Sequence, residues 1–405
     1  MKQEEVVVVS AVRSPFGKFG GALKDFTHPK LGGLVFAEAV RRAGVPAAEV
    51  EEVAVGVNLP GGDRSIARQV LIEAGIPPSS VAYTMDRACC SSMVSVNMAS
   101  RGIRLGETRV ALAGGVENMS RIPYFLYDLR WGARLGDVHL KDQLIIACPM
   151  TGKPRAVQAG EEAVDFGITR EEQDHWAVRS QQCYSKAKAA GKFADEMMPI
   201  EVPQAKGKVL TVVDDESPRP DIEYEKIAKL PTVYNSPTVT AANAPGLSTG
   251  ASALCLMSRS EAERQGKEPL ATLMGWAMAS GHPDRIASIP AEGIRLALDK
   301  VQMTIDDMDL IEINEAFAAV PLLSSFILGG KDRKRADEIR EKLNVNGGAI
   351  AIGHPTGATG GRLIMTLMYE LRRRYKMAGS KRPCYGVVGI CGGVGEAESV
   401  VVKVG

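Results

Sequence analysis

The chain has 405 residues, 45% hydrophobic and 24% charged, with a formal net charge of +1; this is material for two or three cores in a globular protein. The near-zero charge without a long basic block excludes a dedicated nucleic-acid surface, and no apolar run approaches the ~18 residues of a membrane span. Seven cysteines, an odd number without CxxC pairs, and five scattered histidines fit a reducing cytoplasm and lack both disulfide-framework and zinc spacing, so no metal is expected.

In chain order, "MKQEEVVVVSAVRSPFG" is acidic before an apolar run only a strand long, which is not a secretory signal. "AVRRAGVPAAEVEEVAVG" (39–56) reads as a helix end, a connection opening at Pro46, an acidic turn and a strand. An extended piece, "SSVAYTM", then meets a small-residue helix through "DRACCSSM" (86–93). A cysteine at a helix N-terminus sees the positive end of the dipole, which favours its thiolate; the alternative is a cysteine simply buried among small residues. "ALAGGV" (111–116) reads as a buried strand running into a glycine turn.

Residues 119–249 differ in character. Thr169 and Glu172 form a capping box opening a helix that closes near Gly191, and Pro-rich irregular pieces surround it. So long an insertion predicts a lid or substrate-binding region. Beyond it "ALDKVQMTIDDMDLIEIN" (297–314) aligns without gaps to 39–56, and "GICGGV" (389–394) matches 111–116. Two matched pairs in the same order, each enclosing a small-residue helix (89–105 and 355–374), predict duplication of one α/β unit.

The second half also carries the polar signals. "EINEAFAAV" (312–320) puts Asn314 and Glu315 at a strand end before a helix, where active-site residues of α/β proteins gather. "KDRKRADEIREK" (331–342) alternates in sign and reads as a solvated helix face. "NVNGGAIAIGHPTGATGGR" (344–362) sets His354 beside Pro355 at a helix start, where the dipole favours a neutral imidazole able to accept a proton. "YGVVGICGGVGEAES" (385–399) is a strand ending at Cys391 and then a glycine turn; it is neither a P-loop nor a GxGxxG fingerprint.

"NVNGGAIAIGHPTGATG" and "CGGVGEAES" resemble, position by position, the two C-terminal signatures of the thiolase family, with "NEAF" and the cysteine segment in the right order; the resemblance spans essentially the whole chain. It implies an α/β thiolase fold: duplicated αβαβα halves forming a five-layered core, with 1–118 and 250–270 as the N-terminal half, 119–249 as an inserted loop domain and 271–405 as the C-terminal half. It implies reversible thiolytic cleavage or Claisen condensation of 3-ketoacyl-CoA, acetoacetyl-CoA or somewhat longer, through an acyl-cysteine. Cys89 would be the nucleophile, His354 its base, and Cys391 the acid/base at the acetyl α-carbon. One oxyanion hole would use His354 with a water held by Asn314, the other the N–H groups of Cys89 and Gly393.

By the same resemblance Ala241 and Ala244 match positions that meet the pantetheine arm, Arg219 lies where a basic residue meets the nucleotide end, and Phe317 narrows the acyl pocket. Coenzyme A is then a substrate and no cofactor is permanently bound. A cytoplasmic homodimer or homotetramer is implied, "WGARLGDVHLKDQ" resembling a tetramer-forming loop. Three departures stand out: Asp86 where Asn is usual, Pro245 where Ser is usual, and Arg155–Ala156 where a histidine and methionine often line the short-chain pocket. A carboxylate at position 86 is expected to raise the Cys89 pKa. Two other readings are a decarboxylating ketoacyl synthase of the same fold, which would not need Cys391, and a non-catalytic acyl-CoA-binding protein.

Overall fold

The computed structural model describes residues 4–145 and 147–405, so the first three residues of the N-terminal stretch lie outside it. A ten-stranded sheet runs through these residues. Nine of its strands form one path: β1 (Val6–Arg13), β2 (Glu52–Gly56), β3 (Val81–Met85), β4 (Val110–Asn118), β5 (Ser248–Ser258), β6 (Ala271–Ser280), β7 (Leu310–Ile313), β8 (Cys384–Cys391) and β9 (Glu396–Val404). Their spatial order is β7-β8-β9-β6-β1-β5-β4-β2-β3. Only β7–β8, β2–β4 and β2–β3 pair in parallel along this path. The halves join where Val6–Val8 pair with Ala271–Leu273.

The order exposes the duplication. From the outer edge inward, the first half reads β3-β2-β4-β5-β1 and the second reads β7-β8-β9-β6, four strands in equivalent places. A lone parallel bridge between Ile311 and Leu343 stands where a counterpart of β3 would lie. The helices follow suit. The paired segments 39–56 and 297–314 each run from a helix, α1 (His28–Ala43) or α6 (Ile289–Lys300), through one 3₁₀ turn into β2 or β7. Thr27 caps α1 by accepting from Lys30 N–H, and Gly44 ends it at φ +60°, a left-handed backbone that suits glycine.

Burial sorts the helices into layers. α1 and α2 (Ile66–Glu73) cover the outer face of the first half-sheet, and α6 with α7 (Ala319–Leu328) cover that of the second. Between them lie α3 (Ser91–Leu105) and α9 (Thr356–Met377), packed together in one cluster drawn from both halves. Outer helices, half-sheet, shared helix pair, half-sheet and outer helices make five layers, as the resemblance implies. Each sheet buries its apolar strands on two faces, which is why their sequences read as continuous hydrophobic runs.

Two expectations need correction. Gly114 and Gly115 are not in a turn, because β4 continues through them to Asn118. A Cβ on Gly115 would lie 1.9 Å from the Gly357 carbonyl oxygen and 2.7 Å from that of Gly56, so glycine here lets α9 approach β4 backbone to backbone. The helix after Asn314 also starts later than expected, at Ala319, leaving residues 314–318 as a turn.

Within 119–249, the capping box of α5 (Arg170–Ala189) is formed: Glu172 N–H donates to Thr169 Oγ1 and Thr169 N–H to Glu172 Oε2. The region is anchored by Arg13, fully buried at the end of β1, which donates to Glu196 at 2.7 Å and to both oxygens of Asp215 at 2.7 and 3.0 Å. The charged run forms α8 (Arg333–Glu341), which buries only Ala336 and Ile339 and pairs Arg335 with Glu338 and Arg340 with Asp337. No helix among the described residues is long and apolar enough to cross a membrane.

Candidate active site

Cys89 sits in a turn between β3 and α3 whose backbone is held from both halves. Ala88, just before it, has φ +49°, a conformation costly for a residue with a Cβ. Asp86 Oδ1 accepts from Ala88 N–H, Ser91 Oγ accepts from Arg87 N–H at 2.8 Å, and Ser91 donates to Ala88 O at 2.6 Å. The Arg87 guanidinium reaches Glu396 at 2.9 Å and Glu398 at 3.2 Å, at the start of β9. Cys90 is wholly buried and donates to Ile390 O in β8. One turn thus ties the loop of Cys89 to the strand carrying Cys391.

Cys89 lies ahead of the helix rather than in it: Ser91 is the first residue of α3 and Cys90 its cap. The dipole does not dominate there. Burial pushes the Cys89 thiol well above its ordinary range, the nearby Cys391 and Glu117 add to this, and the Arg155 guanidinium opposes it. Of the two readings of this cysteine, burial among its neighbours prevails over the helix end, and the sulfur rests as a thiol. The carboxylate acting on Cys89 is Glu117 rather than Asp86, whose Oδ1 makes the turn bond that an asparagine would also make.

His354 occupies the matching place in the second half, two residues before α9. Burial, reinforced by the Arg362 charge, lowers its imidazole to about 3, so it is neutral. Its tautomer follows from a chain of bonds. Thr359 donates its hydroxyl proton to Pro355 O at 2.9 Å and so accepts from His354 Nδ1–H at 2.7 Å. That leaves the Nε2 lone pair available as a base. Asn314 Nδ2 lies 3.3 Å from Nε2, while its buried Oδ1 has no partner.

The start of α9 is fixed by Glu117, at the buried end of β4. Its carboxylate accepts from Gly357 N–H at 2.9 Å and Thr356 Oγ1 at 2.7 Å, and from Asn58 and Leu59 N–H at 3.1 Å each. Neither Glu117 nor Thr359 was foreseen from sequence. A carboxylate closing an apolar strand was a legible signal for Glu117; nothing local marks Thr359.

Cys391 ends β8, and the turn behind it uses Gly393 at φ +63°. Burial pushes the Cys391 thiol up to about 12, opposed by its own N–H and that of Gly393, which face the sulfur. Cys89, His354, Cys391 and Gly393 line one cavity of about 470 Å³ together with Arg219, Ala241, Ala244 and Phe317. Asn314 stands behind His354, outside the cavity wall. The departures Arg155, Ala156 and Pro245 are in the wall as well. The arrangement sets two weakly acidic thiols and a neutral base in a largely apolar cavity open at one side, which suits transfer of an acyl group between sulfurs.

The comparisons agree with this chemistry. The family described as "Thiolase, N-terminal domain" matches residues 6–260 and "Thiolase, C-terminal domain" matches 267–404. The chain is 39% identical to acetyl-CoA acetyltransferases of Syntrophomonas wolfei (98% of this chain, 99% of that one) and Cupriavidus necator (98% and 100%). Among solved structures it resembles acetyl-CoA acetyltransferase of Bacillus anthracis (TM-score 0.93, 38% identity, 99% of each chain) and human mitochondrial 3-ketoacyl-CoA thiolase (TM-score 0.92, 37%, 100% of each). Matched by both domain families and by relatives along its full length, with Cys89, Cys391 and His354 lining one cavity, this chain belongs to the thiolase family.

Proposed function

We propose that this thiolase cleaves and forms 3-ketoacyl-CoA by a two-sulfur mechanism in which Cys89 carries the acyl group and Cys391 handles the proton of the leaving acetyl unit. The chain is an acyltransferase of CoA-linked substrates. The observation that carries the assignment of roles is the meeting of Cys89, Cys391 and His354 in one cavity.

In the cleavage direction, His354 Nε2 takes the Cys89 proton as the sulfur attacks the 3-keto carbonyl. The C2–C3 bond breaks, its electron pair goes to C2, and Cys391 protonates that carbon, releasing acetyl-CoA. Free coenzyme A then gives its thiol proton to the Cys391 thiolate and attacks the acyl-cysteine; the departing Cys89 sulfur recovers its proton from His354. Both thiols begin and end protonated, as their burial demands. One thioester oxyanion is received by His354 Nε2–H with a water held by Asn314, the other by the N–H groups of Cys89 and Gly393. Ala241 and Ala244 flank the pantetheine arm and Arg219 meets the nucleotide end.

The same reading takes 1–118 with 250–270 and 271–405 as the catalytic halves, and 119–249 as the region that grips coenzyme A. It makes the protein a cytoplasmic homo-oligomer of fatty-acid metabolism. Among the described residues β3 closes the sheet path with one edge unpaired and Val81 60% exposed, which fits pairing with a second copy. In "WGARLGDVHLKDQ", Trp131 and Leu135 are 92% and 99% exposed, which fits a second contact. Cys391, which a decarboxylating synthase would not need, lining one cavity with Cys89 and His354 supports this reading over a decarboxylating synthase or a non-catalytic binder.

The test is thiolysis of acetoacetyl-CoA by free coenzyme A with wild type, Cys89→Ser and Cys391→Ser. Cleavage by wild type and loss in both variants supports the assignment. Full activity in either variant removes that sulfur from it.

A further inference from the structure

Arg155 is a cation of the reaction cavity for which the mechanism has no use. It is the first residue of α4 (Arg155–Asp165), and helical side chains lean toward the N-terminus, which carries its guanidinium off the end of the helix. There it packs over the turn behind Cys391: Nε lies 3.3 Å from where a Cβ on Gly393 would sit. Its charge acts on both Cys89 and Cys391.

The group is held but not neutralised. Gln158 uses its Nε2 on Asp284 at 2.7 Å and Pro283 O at 3.2 Å, which turns its Oε1 toward Arg155 Nη1 at 3.0 Å. No carboxylate among the described residues lies within 4.0 Å of the guanidinium, and none lines the cavity. The wall beside it is apolar, with Ala156, Ile286 and Phe317. A half-buried guanidinium in apolar surroundings is costly unless an anion meets it, and its planar fork matches a carboxylate. The coenzyme's phosphates cannot be that anion, because they lie at the far end of the pantetheine arm from the thiol that must reach the sulfurs. The anion belongs to the acyl chain.

We propose that the preferred substrate is a 3-ketoacyl-CoA whose acyl chain ends in a carboxylate, with Arg155 pairing that carboxylate. This rests on the thiolase reading of the same cavity and deepens it by naming the substrate class; Arg155 acts as a specificity residue.

The experiment measures kcat/KM for thiolysis of three substrates: acetoacetyl-CoA, a six-carbon 3-ketoacyl-CoA ending in a methyl group, and its six-carbon counterpart ending in a carboxylate. Wild type, Arg155→Lys and Arg155→Gln are compared. Wild type should favour the carboxylate-ended chain over the methyl-ended one by about tenfold or more, Arg155→Lys should keep part of that ratio, and Arg155→Gln should bring it to about one or below. A wild-type ratio at or below one overturns the proposal, as does an Arg155→Gln variant slowed equally on both with the ratio intact, which would make Arg155 a partner of the sulfurs. If Arg155→Gln does not fold, the wild-type ratio decides. Cleavage of the uncharged chains without preference sinks this inference alone; cleavage of none of the three sinks the thiolase reading with it.

Discussion

Replacing Thr359 by valine keeps the side chain's shape and removes one oxygen, and that oxygen decides which nitrogen of His354 carries the proton. In the native protein Thr359 Oγ1 accepts from Nδ1–H at 2.7 Å because its own proton is committed to Pro355 O. With valine, the buried Nδ1–H either goes unpaired, at a cost of about 1–3 kcal/mol, or the proton moves to Nε2. The second outcome consumes the lone pair that, in the proposed mechanism, takes the Cys89 proton. If the productive tautomer is raised by about 1.4–2.7 kcal/mol, kcat for thiolysis falls about 10- to 100-fold. The assay is steady-state thiolysis with rapid-quench measurement of Cys89 acylation, beside urea unfolding. Acylation should slow with kcat, and Thr359→Ser should restore most of the rate. A Thr359→Val enzyme within about twofold of wild type on both measures would refute the tautomer argument.

Glu117→Gln keeps the shape but leaves one acceptor oxygen for four donors, so stability should fall by about 2–3 kcal/mol and the rate with it; unchanged urea midpoint and rate would show that the start of α9 does not depend on this carboxylate. Gly115→Ala puts a methyl against two backbone carbonyls and should cost about 3 kcal/mol or more, read as a lower unfolding midpoint or insoluble protein. Arg13→Met strands Glu196 and Asp215 in the interior and should destabilise by about 3–5 kcal/mol in the same assay. The pH dependence has a definite sign: His354 titrates near 3 when folded and near 6.5 when unfolded, so the unfolded chain binds the extra proton between those values. This group's contribution is full above pH 6.5 and declines as pH falls toward 3, by about 5 kcal/mol in all. Unfolding midpoints across that range should slope less steeply in His354→Asn, and identical slopes would contradict the assignment.

Much of the architecture was legible in the sequence because it rests on local signals. Cap residues, a capping box, buried-strand runs and two repeated segments are set within a few residues of chain, and they gave the α/β class and its duplication. The resemblance carried by the signature segments named Cys89, His354 and Cys391, and the fold brings these three to one cavity. Tertiary structure decided the rest. Gly115 was misread as a turn because its reason for being glycine is the Gly357 carbonyl, 242 positions away in the chain. The sequence left the Cys89 thiol between its helix end and burial among small residues; burial, with Cys391 and Glu117 nearby, decides and raises it. Thr359 has ordinary sequence surroundings, and Glu117 and Arg155, though each marked in the sequence, acquire their meaning only from what they face. Chain-local energies select helices, strands and turns; protonation states and the chemistry of a cavity depend on solvent exclusion and on charges brought together only when the two halves close over α3 and α9.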